Sequence, residues 1–228
     1  ISVAQTARRG DCAAGLSVPM TSALELAEAA GLATGVVTNT RITHATPAAA
    51  YAHTPERRWE SDRDMPAAAK TEGCRDIARQ LIEFGIGDGI EVAMGGGRNS
   101  FMAAGEIDPE YPELHGGRLD GRHLVAEWQQ RHPEGRYVWN AEQLAALDLA
   151  NTPRLFGLFE PDHMNFEHDR PRDRGGEPSL AEMTRAAITV LKRHAGGFFL
   201  VIEGGLIDRA HHGGNAYRAP HRKATRIR

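Results

Sequence analysis

At 228 residues, with 27 basic against 30 acidic side chains and a hydrophobic fraction of 41%, the chain can bury one large domain or part of a larger one. The near balance of charge argues against disorder and against a polyelectrolyte partner, and no stretch is long and apolar enough to span a bilayer. The N-terminus lacks the charged and apolar regions of a signal peptide, so the leader of an exported protein would lie outside these residues.

In chain order, Thr21 or Ser22 caps a helix running to about Ala30, with Leu24, Leu26 and Ala27 as apolar positions and Gly31 at its end. A strand follows around Val36 and Val37. Pro66 opens a second helix that carries Ile77, Leu81 and Ile82 and stops at Gly85. Ile90 to Met94 is a short strand feeding Gly95-Gly96-Gly97. That glycine run lacks the Lys-Ser/Thr of a P-loop and the spacing of a dinucleotide fingerprint, so close backbone packing is its expected role. Helices are predicted from Arg122 to Gln130 and, capped by Asn140, from Ala141 to Leu147, and a strand from Leu155 to Phe159. Ser179 and Glu182 form a capping box before a helix with Met183, Ala186, Ala187, Val190 and Leu191 on its apolar face, ended by Gly196-Gly197. The alternation of strands and helices predicts an α/β fold with a largely parallel central sheet and helices on both faces. The polar, Gly- and Pro-rich stretches from Pro109 to Asp120 and from Pro161 to Pro178 predict an excursion from these layers.

The most informative run is Phe198 to His212. Its unalternating apolar start reads as a strand covered on both faces, which puts Glu203 near a carboxyl end, where chemistry collects in α/β sheets. Asp208 and His212, four apart, can share one face of a helical turn, and a carboxylate with an imidazole suits zinc or another divalent ion. A surface Asp and His pair is the competing reading. Cys12 and Cys74 lack the close spacing of a zinc or redox motif, and spacing leaves a disulfide and two buried thiols equally open.

Many segments in fixed order resemble alkaline phosphatases of the animal type and related bacterial enzymes. They include Arg41-Ile42-Thr43-His44-Ala45-Thr46-Pro47-Ala48, Arg57-Arg58-Trp59, Gly95-Gly96-Gly97-Arg98, Asp108-Pro109-Glu110-Tyr111-Pro112, Gly157-Leu158-Phe159-Glu160-Pro161 and the Glu203 to His212 run. The resemblance covers residues 1–219 as a partial domain, incomplete at both ends, with a metal-binding excursion within 109–178 and a non-family basic tail at 220–228. It implies a metal-dependent phosphate monoester hydrolase that works through a phosphoserine, with zinc, magnesium and, in animal members, calcium.

Carried over by residue, the resemblance implies Thr46 and Glu203 as magnesium ligands and Asp208 and His212 as zinc ligands. Arg57 is implied to grip the substrate phosphate, with His44 beside it and Arg209 near the phosphate. His211 matches no ligand. Glu110, the carbonyl of Phe159, Glu160 and Glu177 match a calcium site, with Glu177 standing where aspartate is usual. Cys12 and Cys74 match a disulfide of the animal-type enzymes, which implies an exported protein; relatives are commonly homodimeric. No serine here matches the nucleophile motif and several zinc ligands are absent, so the isolated chain is expected to lack activity. The competing class is a nonenzymatic remnant, truncated or frame-shifted, that at most binds divalent metal. Nucleic-acid binding is not expected, because the basic tail is short and no basic stripe precedes it.

Overall fold

The computed structural model describes residues 1–3, 6–215 and 217–218, so the tail at 220–228 lies outside the described residues. Its elements in chain order begin with α1 (Cys12–Ser17), α2 (Ala23–Ala29), β1 (Ala33–Arg41) and α3 (Ala45–Ala48). Then come α4 (Ala67–Thr71), α5 (Ile77–Ile82), β2 (Val92–Gly96), α6 (Leu124–Arg131), β3 (Arg136–Val138) and α7 (Ala141–Ala145). The last four are β4 (Leu155–Leu158), α8 (Leu180–Leu191), β5 (Phe198–Glu203) and α9 (Leu206–His212). The five strands form one sheet in the order β3-β4-β2-β1-β5, and every neighbouring pair is parallel.

Both faces of the sheet are covered, because successive side chains of a strand point to opposite sides. Val36 packs with Leu24, Ile77, Leu81, Leu124, Trp128 and Phe156, from α2, α5, α6 and β4. Its neighbour Val37 packs on the other face with Leu144, Met183, Ala187 and Val190, from α7 and α8. The cap signals hold: Ser22 with Glu25 and Ser179 with Glu182 make capping boxes, and Asn140 accepts from Gln143 N–H.

Three local expectations are corrected. Leu26 is 62% exposed, because α2 buries Leu24 and Ala27 against the sheet and turns Leu26 outward. The helix expected from Pro66 to Gly85 is two helices, α4 and α5, broken where Gly73 takes φ +92°, a left-handed conformation that glycine adopts without steric cost. β5 is an edge strand instead of a doubly covered one, with Phe198 38% and Ile202 47% exposed. Its apolar run therefore serves two half-covered faces.

Cys12 and Cys74 are joined in a disulfide across 62 residues, beside Trp59, Met65 and Ala69. At the amino end of the sheet, buried Glu91 accepts from Thr34 N–H at 2.6 Å and faces Arg154 at 3.3 Å, and buried Glu28 accepts from the Thr34 hydroxyl. Burial raises both carboxyls, Glu91 to about 7.

Candidate functional site

The carboxyl ends of β1 and β5 build the first part of the site. Thr38 lies opposite Glu203 in the parallel register, and the Thr38 and Thr40 hydroxyls donate to Glu203 Oε2 at 2.7 and 3.0 Å. Gly205 follows because a Cβ there would meet Thr40 Cγ2 at 2.5 Å and the Glu203 carboxylate carbon at 2.9 Å. Asn39 Oδ1 then accepts from Leu206 N–H at 3.1 Å, so β1 also fixes the start of α9.

His44 precedes α3, which packs against both β1 and β5, and Thr46 is its exposed second residue. Arg57 Nη2 donates to His44 Nε2 at 3.0 Å. That bond places the ring proton on Nδ1, which is buried without a partner among the described residues. Desolvation lowers the His44 pKa, the carboxylate of Glu60 opposes that, and Arg57 and Arg41 reinforce it, so the ring is held neutral.

A second imidazole, His163, stands edge-on to His44 with ring centroids 5.3 Å apart. Its Nδ1 accepts from Arg41 N–H at 3.1 Å, and burial, with the charges of Arg41 and Arg209, pushes its pKa down to about 3. Arg41 in turn donates twice to Glu60, at 2.8 Å each, and also to Asp162. Arg209 is thus near enough for its charge to reach this cluster, although its own side chain is exposed. Asp208 and His212 lie on the outer side of α9, 3.4 Å apart and 71% and 81% exposed, and His211 is exposed beside them.

The second part of the site lies in the two polar stretches expected to leave the core layers. The glycine run anchors it by close packing: a Cβ on Gly96 would meet the Asp162 carbonyl oxygen at 2.2 Å. Gly97, at φ +92°, donates its N–H to the carbonyls of Glu160 and Asp162 at 2.9 and 2.7 Å. Glu160 is thereby fixed facing Glu110 and Asp173, with one ligating oxygen of each of the three carboxylates within 4.8 Å of the others. Fully buried Arg98 donates to Glu110 Oε2 at 3.0 Å, and Gly175 N–H donates to Glu110 Oε1 at 2.8 Å. Asn165 Nδ2 bridges Glu160 and Asp173 at 2.9 and 3.1 Å. Burial and the facing carboxylates Asp173 and Glu110 raise the Glu160 carboxyl, and burial pushes Glu177 up to about 8. Asp173 Oδ2 is buried without a partner among the described residues. A set of oxygen donors with an orphaned carboxylate oxygen has the chemistry of a hard divalent cation site.

The structure therefore joins His44 with Arg57, and Glu110 with Glu160, while Glu177 is not one of the three converging carboxylates. His163, Glu60 and Asp173 were not singled out in the sequence. Only the position of Asp173 and His163 inside the polar stretch from Pro161 to Pro178 signalled them.

The carboxyl edge of the parallel sheet thus presents arginine and histidine, and the polar loops beside it carry an acidic cluster that could hold a metal ion. The family model described as alkaline phosphatase matches residues 6–224, and the chain belongs to the alkaline phosphatase family. It is 45% identical over 227 residues to the tissue-nonspecific alkaline phosphatase isozyme of Gallus gallus, covering 97% of this chain and 43% of that protein. With the alkaline phosphatase of Gadus morhua it shares 47% identity over 207 residues, covering 89% and 43%. The crystal structure of Thermus thermophilus alkaline phosphatase superposes with a TM-score of 0.67 at 33% identity, over 89% of this chain and 35% of that one. Alkaline phosphatase from the Antarctic bacterium TAB5, 23% identical with a TM-score of 0.63 over 96% and 56%, shares the fold. The chain thus spans less than half the length of the curated relatives it matches, at 43%.

Proposed function

We propose that the chain supplies the central part of a metal-dependent phosphate monoester hydrolase. The observation that carries this reading is the Arg57 guanidinium held 3.0 Å from a neutral His44, at the strand edge where Glu203 ends β5. A neutral His44 accepts from Arg57 and so orients the guanidinium, whose planar fork suits two phosphate oxygens at once. Arg209, a permanent cation near His163, adds positive field for an approaching dianion.

The donor chemistry fits the metals of the family. The Thr46 hydroxyl and Glu203 carboxylate are oxygen donors suited to magnesium, and Asp208 with His212 is a carboxylate and imidazole pair suited to zinc. Glu110, Glu160 and the Phe159 carbonyl suit calcium. When bound, zinc and magnesium would neutralise charge on the phosphoryl group and its leaving oxygen. Thr38 and Thr40 hold Glu203 in place for that role. The Cys12–Cys74 disulfide supports an exported protein working in an oxidising compartment, with a homodimer as the expected assembly.

In a polypeptide carrying the whole family domain, Arg57→Ala is expected to lower kcat/KM for a chromogenic phosphate monoester by roughly 10- to 100-fold, the worth of a charge-assisted hydrogen bond. An unchanged value removes Arg57 from the site. The isolated 228-residue chain, without a serine matching the nucleophile motif, is expected to give no turnover in the same assay.

A further inference from the structure

We propose that Asp173, and not Glu177, is the third carboxylate of the acidic loop site, and that Glu177 serves to hold the loop. The inference rests on the family reading of this loop as a calcium site and changes its ligand set. Glu177, the residue that aligns with the family aspartate, is one methylene longer and engages the backbone. Both its oxygens lie on Asn165 N–H, at 3.0 and 3.1 Å. That contact fixes Asn165, whose side-chain amide reaches back to Glu160 and Asp173.

Asp173, half-buried, is the residue after a short 3-10 turn, Arg170–Arg172, and its backbone is extended. One of its oxygens accepts from Asn165 at 3.1 Å, and the other, Oδ2, is buried with no partner among the described residues. Its carboxylate joins Glu110 and Glu160, each at most 6% exposed, with one ligating oxygen apiece inside 4.8 Å. Three carboxylates at that spacing repel one another unless a proton or a cation lies between them. Oxygen donors that converge in this number suit calcium, which accepts irregular carboxylate sets. Arg98 and Gly175 N–H, both bonded to Glu110, keep that side chain aimed at the same point.

Calorimetric titration of the full chain with calcium chloride separates the two ligand sets. Asp173→Asn is expected to weaken binding roughly tenfold or more, and Glu177→Gln clearly less, because glutamine keeps an oxygen to accept from Asn165 N–H. In calcium-free buffer, Asp173→Asn is expected to leave the melting temperature unchanged or raised, since it takes one carboxylate out of a crowded set of three. Added calcium should then no longer raise it as it does in the unmodified chain. Equal or greater loss from Glu177→Gln overturns the assignment, as does undiminished binding by Asp173→Asn, a lowered calcium-free melting temperature, or no binding by the unmodified chain at millimolar calcium. A result in which calcium binds through Glu177 would leave the phosphatase reading intact, while unchanged turnover in Arg57→Ala would count against that reading and leave this one untouched.

Discussion

Single side chains set the electrostatics at both ends of the sheet. At the site end, Nε2 of His44 and Nδ1 of His163 accept from neighbouring donors, so each imidazole is neutral and keeps its proton on a buried nitrogen. At the far end, the buried carboxyl of Glu91 binds its proton more tightly folded than unfolded, rising from an ordinary 4.5 to about 7. Protonation therefore favours the fold: the contribution is fully present below about 4.5 and is lost as pH climbs through about 7. Melting temperatures measured across that window should decline less steeply for Glu91→Gln than for the unmodified chain. The amide retains an acceptor for Thr34 N–H and cannot ionise. Parallel curves for the two proteins would show that Glu91 does not titrate differently on folding.

At the scale of elements, the glycines at the end of β2 couple the sheet to the acidic loop. A methyl group on Gly96 would press on the Asp162 carbonyl, so Gly96→Ala is expected to cost about 1–3 kcal/mol in a urea melt. On the calcium reading proposed above, it should also weaken calcium binding, because Glu160 is held through the same turn. A stability within error of the parent would mean that the loop moves aside. Capped helices were legible in the sequence because a cap is a local event: Ser22 and Glu25, or Ser179 and Glu182, meet three residues apart whatever the rest of the chain does. The break at Gly73 was not legible, because Ile77, Leu81 and Ile82 keep a helical spacing that hides the interruption before them. β3 escaped notice for another reason: Arg136, Tyr137 and Val138 are too few to show a period, and pairing with β4 makes them a strand. An apolar run alone likewise could not say that β5 would lie at the edge.

For the molecule as a whole, motifs placed the ligand candidates but could not say which would meet. Glu110 and Glu160 were readable from their motifs, whereas the choice between Asp173 and Glu177 depends on loop backbone that no spacing encodes. The pairing of Cys12 with Cys74, implied by resemblance, is present. Closing a loop across 62 residues, it is expected to contribute about 4 kcal/mol, so reduction should lower the denaturant midpoint accordingly. An unchanged midpoint after confirmed reduction would place its stabilisation elsewhere.

The pairing of β1 with β5 also bears on how the protein is made. Thr38 and Glu203, which bond across the two strands, are 165 residues apart. On a ribosome adding about 5–20 residues per second, β1 emerges on the order of ten to thirty seconds before its outer neighbour. Throughout that interval β1 leaves the sheet with an open edge beside Val36 and Val37.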